Sequence, residues 1–353
     1  MITPMAGIAD TLAAGRDYPA ITDAVLVIHG GSGVIRRDAL APERDTACRE
    51  GLREALQNGG AVLRAGGSAL EAVCAAVCCL EDNPLFNAGR GAVFTYEGHV
   101  ELDAAIMDGA AGGAGAVTGV RTVKNPVLLA RAVMERSPFV LLVGRGAEEF
   151  ASAQGMAAVE PAYFTTPERQ KQWHDWKQSQ QAQTQDAQMR LSEDGARDLG
   201  EGGDFKFGTG GDFKFGTVGA VARDSRGGLA AATSTGGMTG KRYGRVGDSP
   251  LIDAGTWASS ATCAVSATGH GEPFIRQAVA HDIHARMAYG GATLAEAARA
   301  VIHGTLLAAG GAGGVIALDA NGNAALPFNT SGMYRGILHA DGTTKVSIYD
   351  DEP

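Results

Sequence analysis

Gly216-Thr-Val-Gly-Ala-Val221 stands at the junction of two dissimilar stretches of this 353-residue chain. Upstream, residues 166–200 are rich in Gln, Asp, Lys and Ser and nearly devoid of aliphatics, which predicts a solvated, disordered linker running to about residue 216. That linker ends in a tandem repeat, Gly202-Gly-Asp-Phe-Lys-Phe-Gly-Thr209 followed by the same eight residues at 210–217. Two copies are too few for a solenoid and read as a local duplication in a tolerant loop. Downstream the character turns strongly β. A polar linker that runs straight into Gly-Thr and then an apolar strand suits a chain cut at its own Gly216–Thr217 bond. An N-terminal threonine carries its own base, because an α-amino group with a pKa of roughly 7.7–8.0 can take the hydroxyl proton. A Gly-Thr dipeptide alone is a weak signal that reads far more readily as a structural turn, so the surrounding residues decide.

Working outward, Val218–Ala222 and Leu229–Ser234 read as strands joined by the turn Asp224-Ser-Arg-Gly-Gly228. Thr262–Ala267, Val315–Leu318, Ala324–Phe328 and Ile337–His339 are further strands. Pro273–Tyr289 and Leu294–Ala308 read as helices, the second opened by the capping box Thr293-Leu-Ala-Glu296. In the first half, Val25–Ile28 is a buried strand, residues 43–65 a helix, and Ser68-Ala-Leu-Glu71 caps a helix through Leu80. Phe94–Met107 reads as strands, Pro126–Arg136 as a helix and Phe139–Val143 as a buried strand. Strands grouped together with helices grouped apart suggest an α+β protein of stacked sheets covered by helices, not a doubly wound parallel sheet.

Several residue groups carry candidate chemistry. Ala232-Thr-Ser-Thr-Gly-Gly-Met238 puts three hydroxyls at a strand end. Gly244-Arg-Val-Gly-Asp-Ser-Pro250 sets Arg245 and Asp248 three apart, a spacing that suits an amino acid: the guanidinium forks onto an α-carboxylate and the carboxylate accepts an α-ammonium. Ala267-Thr-Gly-His-Gly-Glu272 offers a hydroxyl beside glycine N–H groups, the makings of an oxyanion hole. His29-Gly-Gly-Ser-Gly33 lacks the lysine of a P-loop and reads as a structural turn. His281 and His284 lie three apart on a helix without a third metal ligand in view, and read as packing residues.

Composition bounds the rest. Glycine makes up 51 of 353 residues, about twice the usual ~7%, without a collagen period. The sum of 30 basic and 39 acidic residues is −9, which argues against nucleic-acid or anionic-membrane partners. No apolar run reaches the length of a membrane span. The first 24 residues lack a basic segment followed by an apolar one, so no signal peptide is expected. The five cysteines, three of them in one apolar helix, read as small hydrophobes in a reducing cytoplasm.

Taken together these motifs resemble the plant-type L-asparaginase / isoaspartyl aminopeptidase family of N-terminal-nucleophile hydrolases. Asn87-Ala-Gly-Arg-Gly-Ala-Val-Phe-Thr95, Glu101-Leu-Asp-Ala-Ala-Ile-Met-Asp-Gly109 and Leu326-Pro-Phe-Asn-Thr330 extend the resemblance over about residues 20–160 and 215–340. It implies a single domain spanning 1–353, an αββα four-layer sandwich, self-cleavage into an α chain (1–216) and a β chain (217–353), and an (αβ)2 assembly. By resemblance Thr217 is the nucleophile and Thr235 the hydroxyl that supports it. Thr268 and Gly269 are the oxyanion hole. Arg245 clamps the substrate carboxylate, Asp248 and the carbonyl of Gly271 receive its ammonium, and Asn87 steadies the new N-terminus. The backbone carbonyls of Leu80, Glu81, Asn83, Phe86, Ala88 and Arg90 resemble a loop that holds a structural sodium ion, with no catalytic cofactor. The implied reaction is hydrolysis of β-aspartyl dipeptides and of the asparagine side-chain amide through a β-aspartyl ester. A glycosylasparaginase-like amidase and a non-processing protein that binds aspartyl ligands are the alternatives.

Overall fold

The computed structural model describes residues 22–193 and 216–352. The first 21 residues, and all of the doubled octapeptide except Gly216 and Thr217, lie outside them. The first six strands are β1 (Ala24–Gly33), β2 (Leu102–Asp108), β3 (Gly113–Val120), β4 (Leu141–Val143), β5 (Val218–Arg223) and β6 (Leu229–Thr235). Six more come after them: β7 (Thr256–Ala258), β8 (Cys263–Gly269), β9 (Gly313–Asp319), β10 (Ala324–Ala325), β11 (Gly332–His339) and β12 (Thr344–Tyr349). The helices are α1 (Pro42–Arg64), α2 (Ala69–Asp82), α3 (Pro126–Arg136), α4 (Gly144–Ala153), α5 (Pro167–Glu193), α6 (Gly271–Gln277), α7 (Val279–Ala288) and α8 (Leu294–Ala300).

The strands form an eight-stranded sheet in the order β12-β11-β1-β5-β6-β2-β3-β4 and a four-stranded sheet in the order β10-β9-β8-β7. Among these strand pairs only β3–β4 is parallel. Strand β5 sits at the centre of the large sheet, between β1 and β6, with Ala220 opposite Ile28 on one side and Ala232 on the other. Its nearly continuous burial is what a strand covered on both faces requires.

Successive side chains of a strand point to opposite faces, so each central strand feeds two cores. Leu26, Ile28, Ala220 and Ile106 pack against Leu52 and Leu56 of α1, Val73 and Val77 of α2, and Leu129 of α3. Val27, Val221 and Ala231 point the other way and meet Ala264, Ile316 and Leu318 of the small sheet. The far face of that sheet, with Val265, Ala267, Val315 and Ala317, packs on Phe274, Ile283 and Ala298 from α6–α8. The molecule is thus a mixed α+β structure whose sheets lie face to face and are flanked by helices. Both expected capping boxes are formed, Ser68 with Glu71 and Thr293 with Glu296.

Several readings of the sequence need correction. The segment expected to be a disordered linker is helical over its first part, as α5. Its polar composition conceals three anchors at i, i+4 and i+7, which share one helix face. Arg169 Nε donates to Gly91 O at 2.6 Å, Trp173 Nε1 donates to Thr95 O at 2.8 Å, and the Trp176 ring lies over Gly240. The stretch Phe139–Val143 is not a buried strand: only Leu141–Val143 is a strand, at the edge of the large sheet, and Phe139 is 59% exposed. The helix expected over Pro273–Tyr289 is broken at Ala278, whose φ of 46° separates α6 from α7. Leu294–Ala308 begins as α8 but passes into a π-helical turn, Val301–Leu306. Strands β3, β7 and β12 and helix α4 carry no comparable signal in the sequence.

Candidate active site

Thr217 immediately precedes β5 and is 7% exposed. Antiparallel pairing sets Val218 opposite Ser234, which brings Thr217 beside Thr235 at the end of β6. Thr217 Oγ1 donates to Thr235 Oγ1 at 3.1 Å, and Gly237 N donates to the same oxygen at 3.0 Å. On the other side of the Gly216–Thr217 bond, the Asn87 amide donates to Gly216 O at 3.1 Å. Asn87 is fixed by its own side chain: Nδ2 donates to Gly237 O at 2.7 Å and Oδ1 accepts from Val93 N at 2.9 Å.

The carbonyl of Thr217 is held by a chain of buried side chains. His29 Nδ1 lies 3.0 Å from Thr217 O, and His29 Nε2 lies 2.9 Å from Ser266 Oγ. A carbonyl only accepts, so the imidazole proton is on Nδ1, and Nε2 accepts from the Ser266 hydroxyl. Burial pushes the imidazole down to about 3, against the raising effect of the hydrogen bond to Thr217, so the ring is neutral. With its hydrogen committed to His29, Ser266 Oγ accepts from Thr233 at 2.6 Å, and Thr233 Oγ1 accepts from Thr256 at 2.7 Å. His29, Ser266, Thr233 and Thr256 are fully buried. Gly219 makes room for this chain: a methyl group there would overlap Ser266 Oγ and His29 Nε2.

Thr268, near the end of β8, is also fully buried. Its Oγ1 accepts from Ser32 N at 3.2 Å while Ser32 Oγ donates to Thr268 O at 3.0 Å. This leaves the Thr268 hydroxyl hydrogen for another acceptor, beside the Gly269 backbone. The segment His29–Ser32, expected to be a turn, is instead the end of β1, paired with β11, and it touches both Thr217 and Thr268.

Asp248 is 3% exposed, and its Oδ2 has no hydrogen-bond partner among the described residues. Burial pushes its carboxyl up to about 7, even with Arg245 nearby. Arg245 is gripped by Glu272, through Nε at 3.0 Å and one terminal nitrogen at 2.9 Å. Glu272 is held below the usual carboxylate range: its own burial opposes this, but hydrogen bonds from His270 and Arg245 prevail. Gly271 lies between the two groups, where a methyl would stand 2.9 Å from Asp248 Oδ1 and 3.0 Å from an Arg245 nitrogen. Arg245, Asp248 and Gly271 are thus brought together. Thr256, whose hydroxyl is within reach of both Ser249 O and Thr233 Oγ1, ties the Asp248 loop to the buried chain beneath Thr217.

In the loop between α2 and β2, the carbonyl oxygens of Glu81 and Phe86 face the α-carbons of Gly89 and Gly91. The carbonyls of Leu80, Asn83 and Ala88 accept backbone amides. Oxygen-only donors of this kind suit a hard cation. The Glu81 side chain faces elsewhere, accepting from Ser234 Oγ at 2.7 Å and Val127 N at 3.1 Å. Burial pushes its carboxyl up to about 8. His281 and His284 pack against Trp257, with ring centroids 4.9 and 4.8 Å away. Among the described residues no cluster of His, Cys, Asp or Glu suits a metal ion, and no helix is long and apolar enough to cross a membrane. All five cysteines are free thiols, three of them buried.

His29, Ser266, Thr256 and Glu272 are site residues that the sequence reading missed. Ser266 and Thr256 carry no signal, because a single hydroxyl in an apolar strand is unremarkable until its partner is known. His29 does carry one, as a histidine among apolar residues at the end of a buried strand.

A threonine at the mouth of the central strand, with its hydroxyl, its preceding carbonyl and a buried amino-acid-sized anion–cation pair, defines a hydrolase-type site on an α+β scaffold. The chain belongs to the asparaginase family whose sequence profile matches residues 22–348. It is 52% identical over 326 residues to the isoaspartyl peptidase of Salmonella typhimurium, covering 92% of this chain and 98% of that one. The isoaspartyl peptidase of Escherichia coli is 49% identical over 329 residues, 93% of this chain and 97% of its own. The plant-type L-asparaginase of Pyrococcus furiosus is 40% identical over 308 residues, 87% of this chain and 94% of its own.

Proposed function

We propose that the protein is an isoaspartyl peptidase and L-asparaginase that matures by cutting itself before Thr217. The observation that carries this reading is the pair of contacts flanking one bond: Thr217 Oγ1 on Thr235 Oγ1, and Gly216 O on the Asn87 amide. In the precursor, Thr235 takes the hydroxyl proton while Thr217 Oγ attacks the Gly216 carbonyl carbon. The oxygen that gains charge is held by the Asn87 N–H. The peptide becomes an ester, the Thr217 nitrogen is released with the proton, and water hydrolyses the ester. This leaves an α chain of 1–216 and a β chain that starts at Thr217, together one αββα sandwich of the N-terminal-nucleophile type.

In the mature enzyme the freed α-amine is the base. Thr217 Oγ attacks the β-carbonyl of a β-aspartyl dipeptide or of asparagine, with the oxyanion on Thr268 Oγ and Gly269 N. The α-amine returns its proton to the leaving nitrogen, and water then cleaves the β-aspartyl ester. Asp248 and the Gly271 carbonyl receive the substrate ammonium, and Arg245 its α-carboxylate, through the guanidinium edge that Glu272 leaves open. The same carbonyls of Leu80, Glu81, Asn83, Phe86, Ala88 and Arg90 are proposed to hold sodium as a structural ion, and the assembly to be (αβ)2. Denaturing electrophoresis and assay of Thr217→Ala test the reading. We expect one uncut chain without activity, against fragments of 216 and 137 residues (353 − 216) in the parent. Turnover by an uncut chain would refute it.

A further inference from the structure

A pocket opens on the Gly216 side of the Thr217 nitrogen, and the proposed reaction does not use it. Gly216 and Asn87 form one wall, and Arg44, Arg169 and Tyr334 line the others. Arg44 is neutralised by Glu168 at 2.6 Å. Arg169 differs: it is 7% exposed, its Nε donates to Gly91 O and one terminal nitrogen to Gln172 Oε1, and no carboxylate pairs with it among the described residues. Burial lowers its pKa to about 10, outweighing the charge of nearby Glu168, whose carboxylate is engaged by Arg44. A desolvated guanidinium is matched best by a carboxylate.

The chemistry of hydrolysis says which carboxylate. The Thr217 α-amine must hand its proton to the leaving nitrogen, so the leaving group lies on the side of Thr217 that Gly216 vacates on cleavage. The leaving group of a β-aspartyl dipeptide is an α-amino acid with a free carboxylate. That of asparagine is ammonia, which has none.

We propose that this pocket is the leaving-group subsite, in which Arg169 binds the C-terminal carboxylate of a β-aspartyl dipeptide. The inference rests on the proposed hydrolase reading. It makes Arg169, carried on the helix that begins at Pro167, a specificity determinant for dipeptides.

The test compares kcat/KM for β-aspartyl-leucine with that for the same dipeptide amidated at its C-terminus. In the parent enzyme the acid is expected to be favoured by about tenfold or more, the worth of one charge-assisted contact. In Arg169→Gln that ratio should collapse towards one, and in Arg169→Lys it should lie between. Purely structural damage would lower both substrates together and preserve the ratio. A parent that treats acid and amide alike overturns the proposal and leaves the pocket to the other carboxylate made nearby, the new C-terminus of Gly216. An unchanged ratio in Arg169→Gln overturns it too. A parent that cleaves neither dipeptide but hydrolyses asparagine overturns the subsite alone, whereas one inactive on all three substrates also sinks the hydrolase reading.

Discussion

A hydroxyl becomes a nucleophile when one group takes its proton and others fix its direction, and in the role proposed for Thr217 these tasks fall to different neighbours. Thr235 accepts the Thr217 hydroxyl and in the proposed reaction takes its proton, while His29 holds the Thr217 carbonyl. Ser266→Ala would strip the donor from His29 Nε2 and leave a buried acceptor unpaired, a loss of about 1–3 kcal/mol. We expect a lower denaturant midpoint and slower self-cleavage, seen as persistent full-length chain on a gel. If Ser266→Ala is processed at the parent rate, the buried chain has no part in aiming Thr217. Asp248 gives a second expectation. Its carboxyl is raised to about 7, so in its proposed role it can receive an ammonium only above that pH in the free enzyme. The kcat/KM for asparagine should climb through about pH 7 together with the titration of the Thr217 amine, and Asp248→Asn should lower it and leave only the shallower limb of the amine. The sign for stability is opposite: the folded state keeps a proton that the unfolded chain has already lost, so this group's contribution falls as pH rises from about 4 to 7. A limb equally steep in the parent and in Asp248→Asn would mean that Asp248 is already ionised by its surroundings.

Elements with a continuous or periodic apolar pattern are legible in the sequence, and those held by a few anchors are not. Strands β5 and β6 are short runs of small apolar residues, Val-Gly-Ala-Val-Ala and Leu-Ala-Ala-Ala, at the centre of the sheet, and α2 and α8 announce themselves by capping boxes. Helix α5 fails every composition test yet forms, because Arg169, Trp173 and Trp176 dock on residues 91–96 and 240. The break at Ala278 is invisible, since alanine is not a residue that advertises a left-handed turn. The docking of α5 has a consequence for binding. Trp176 lies over Gly240 and meets Tyr96 edge-on at 6.0 Å, while the Arg242 guanidinium stacks on the Tyr96 ring at 3.2 Å. These residues lead directly into Arg245. Trp176→Ala should therefore loosen the proposed Arg245 clamp on the substrate carboxylate and raise KM several-fold with kcat nearly unchanged. A fall in kcat at constant KM would show that the helix acts on the chemistry instead.

At the scale of the whole molecule, the site is assembled across the two sheets, which is why its supporting residues cannot be read along the chain. His29 comes from β1 and Thr233 from β6 of the large sheet, Ser266 from β8 and Thr256 from β7 of the small one. His29 and Ser266 are 237 residues apart in sequence. The catalytic candidates themselves are legible because each sits in a short motif of distinctive chemistry. Only the fold reveals the groups beneath them. The same dependence on the fold decides where the chain should be cut. The doubled octapeptide presents Gly208–Thr209 and Gly216–Thr217 with identical residues before each bond. The difference lies on the C-terminal side. Thr209 is succeeded by Gly-Gly-Asp, whereas Thr217 is succeeded by Val-Gly-Ala-Val, which enters the central strand. That strand sets Thr217 against Thr235, hangs its carbonyl on His29 and presents Gly216 O to Asn87. Orienting a hydroxyl on the adjacent carbonyl supplies much of the rate of such a step, so positioning selects the bond and the octapeptide does not. Cleavage is therefore expected only at Gly216–Thr217, with Thr209 retained in the α chain. N-terminal sequencing of the smaller fragment should read Thr-Val-Gly-Ala, and deletion of residues 202–209 should leave processing and activity almost unchanged. A fragment beginning Thr-Gly-Gly-Asp would mean that the upstream octapeptide chooses the bond, and Thr217 would lose its assigned role.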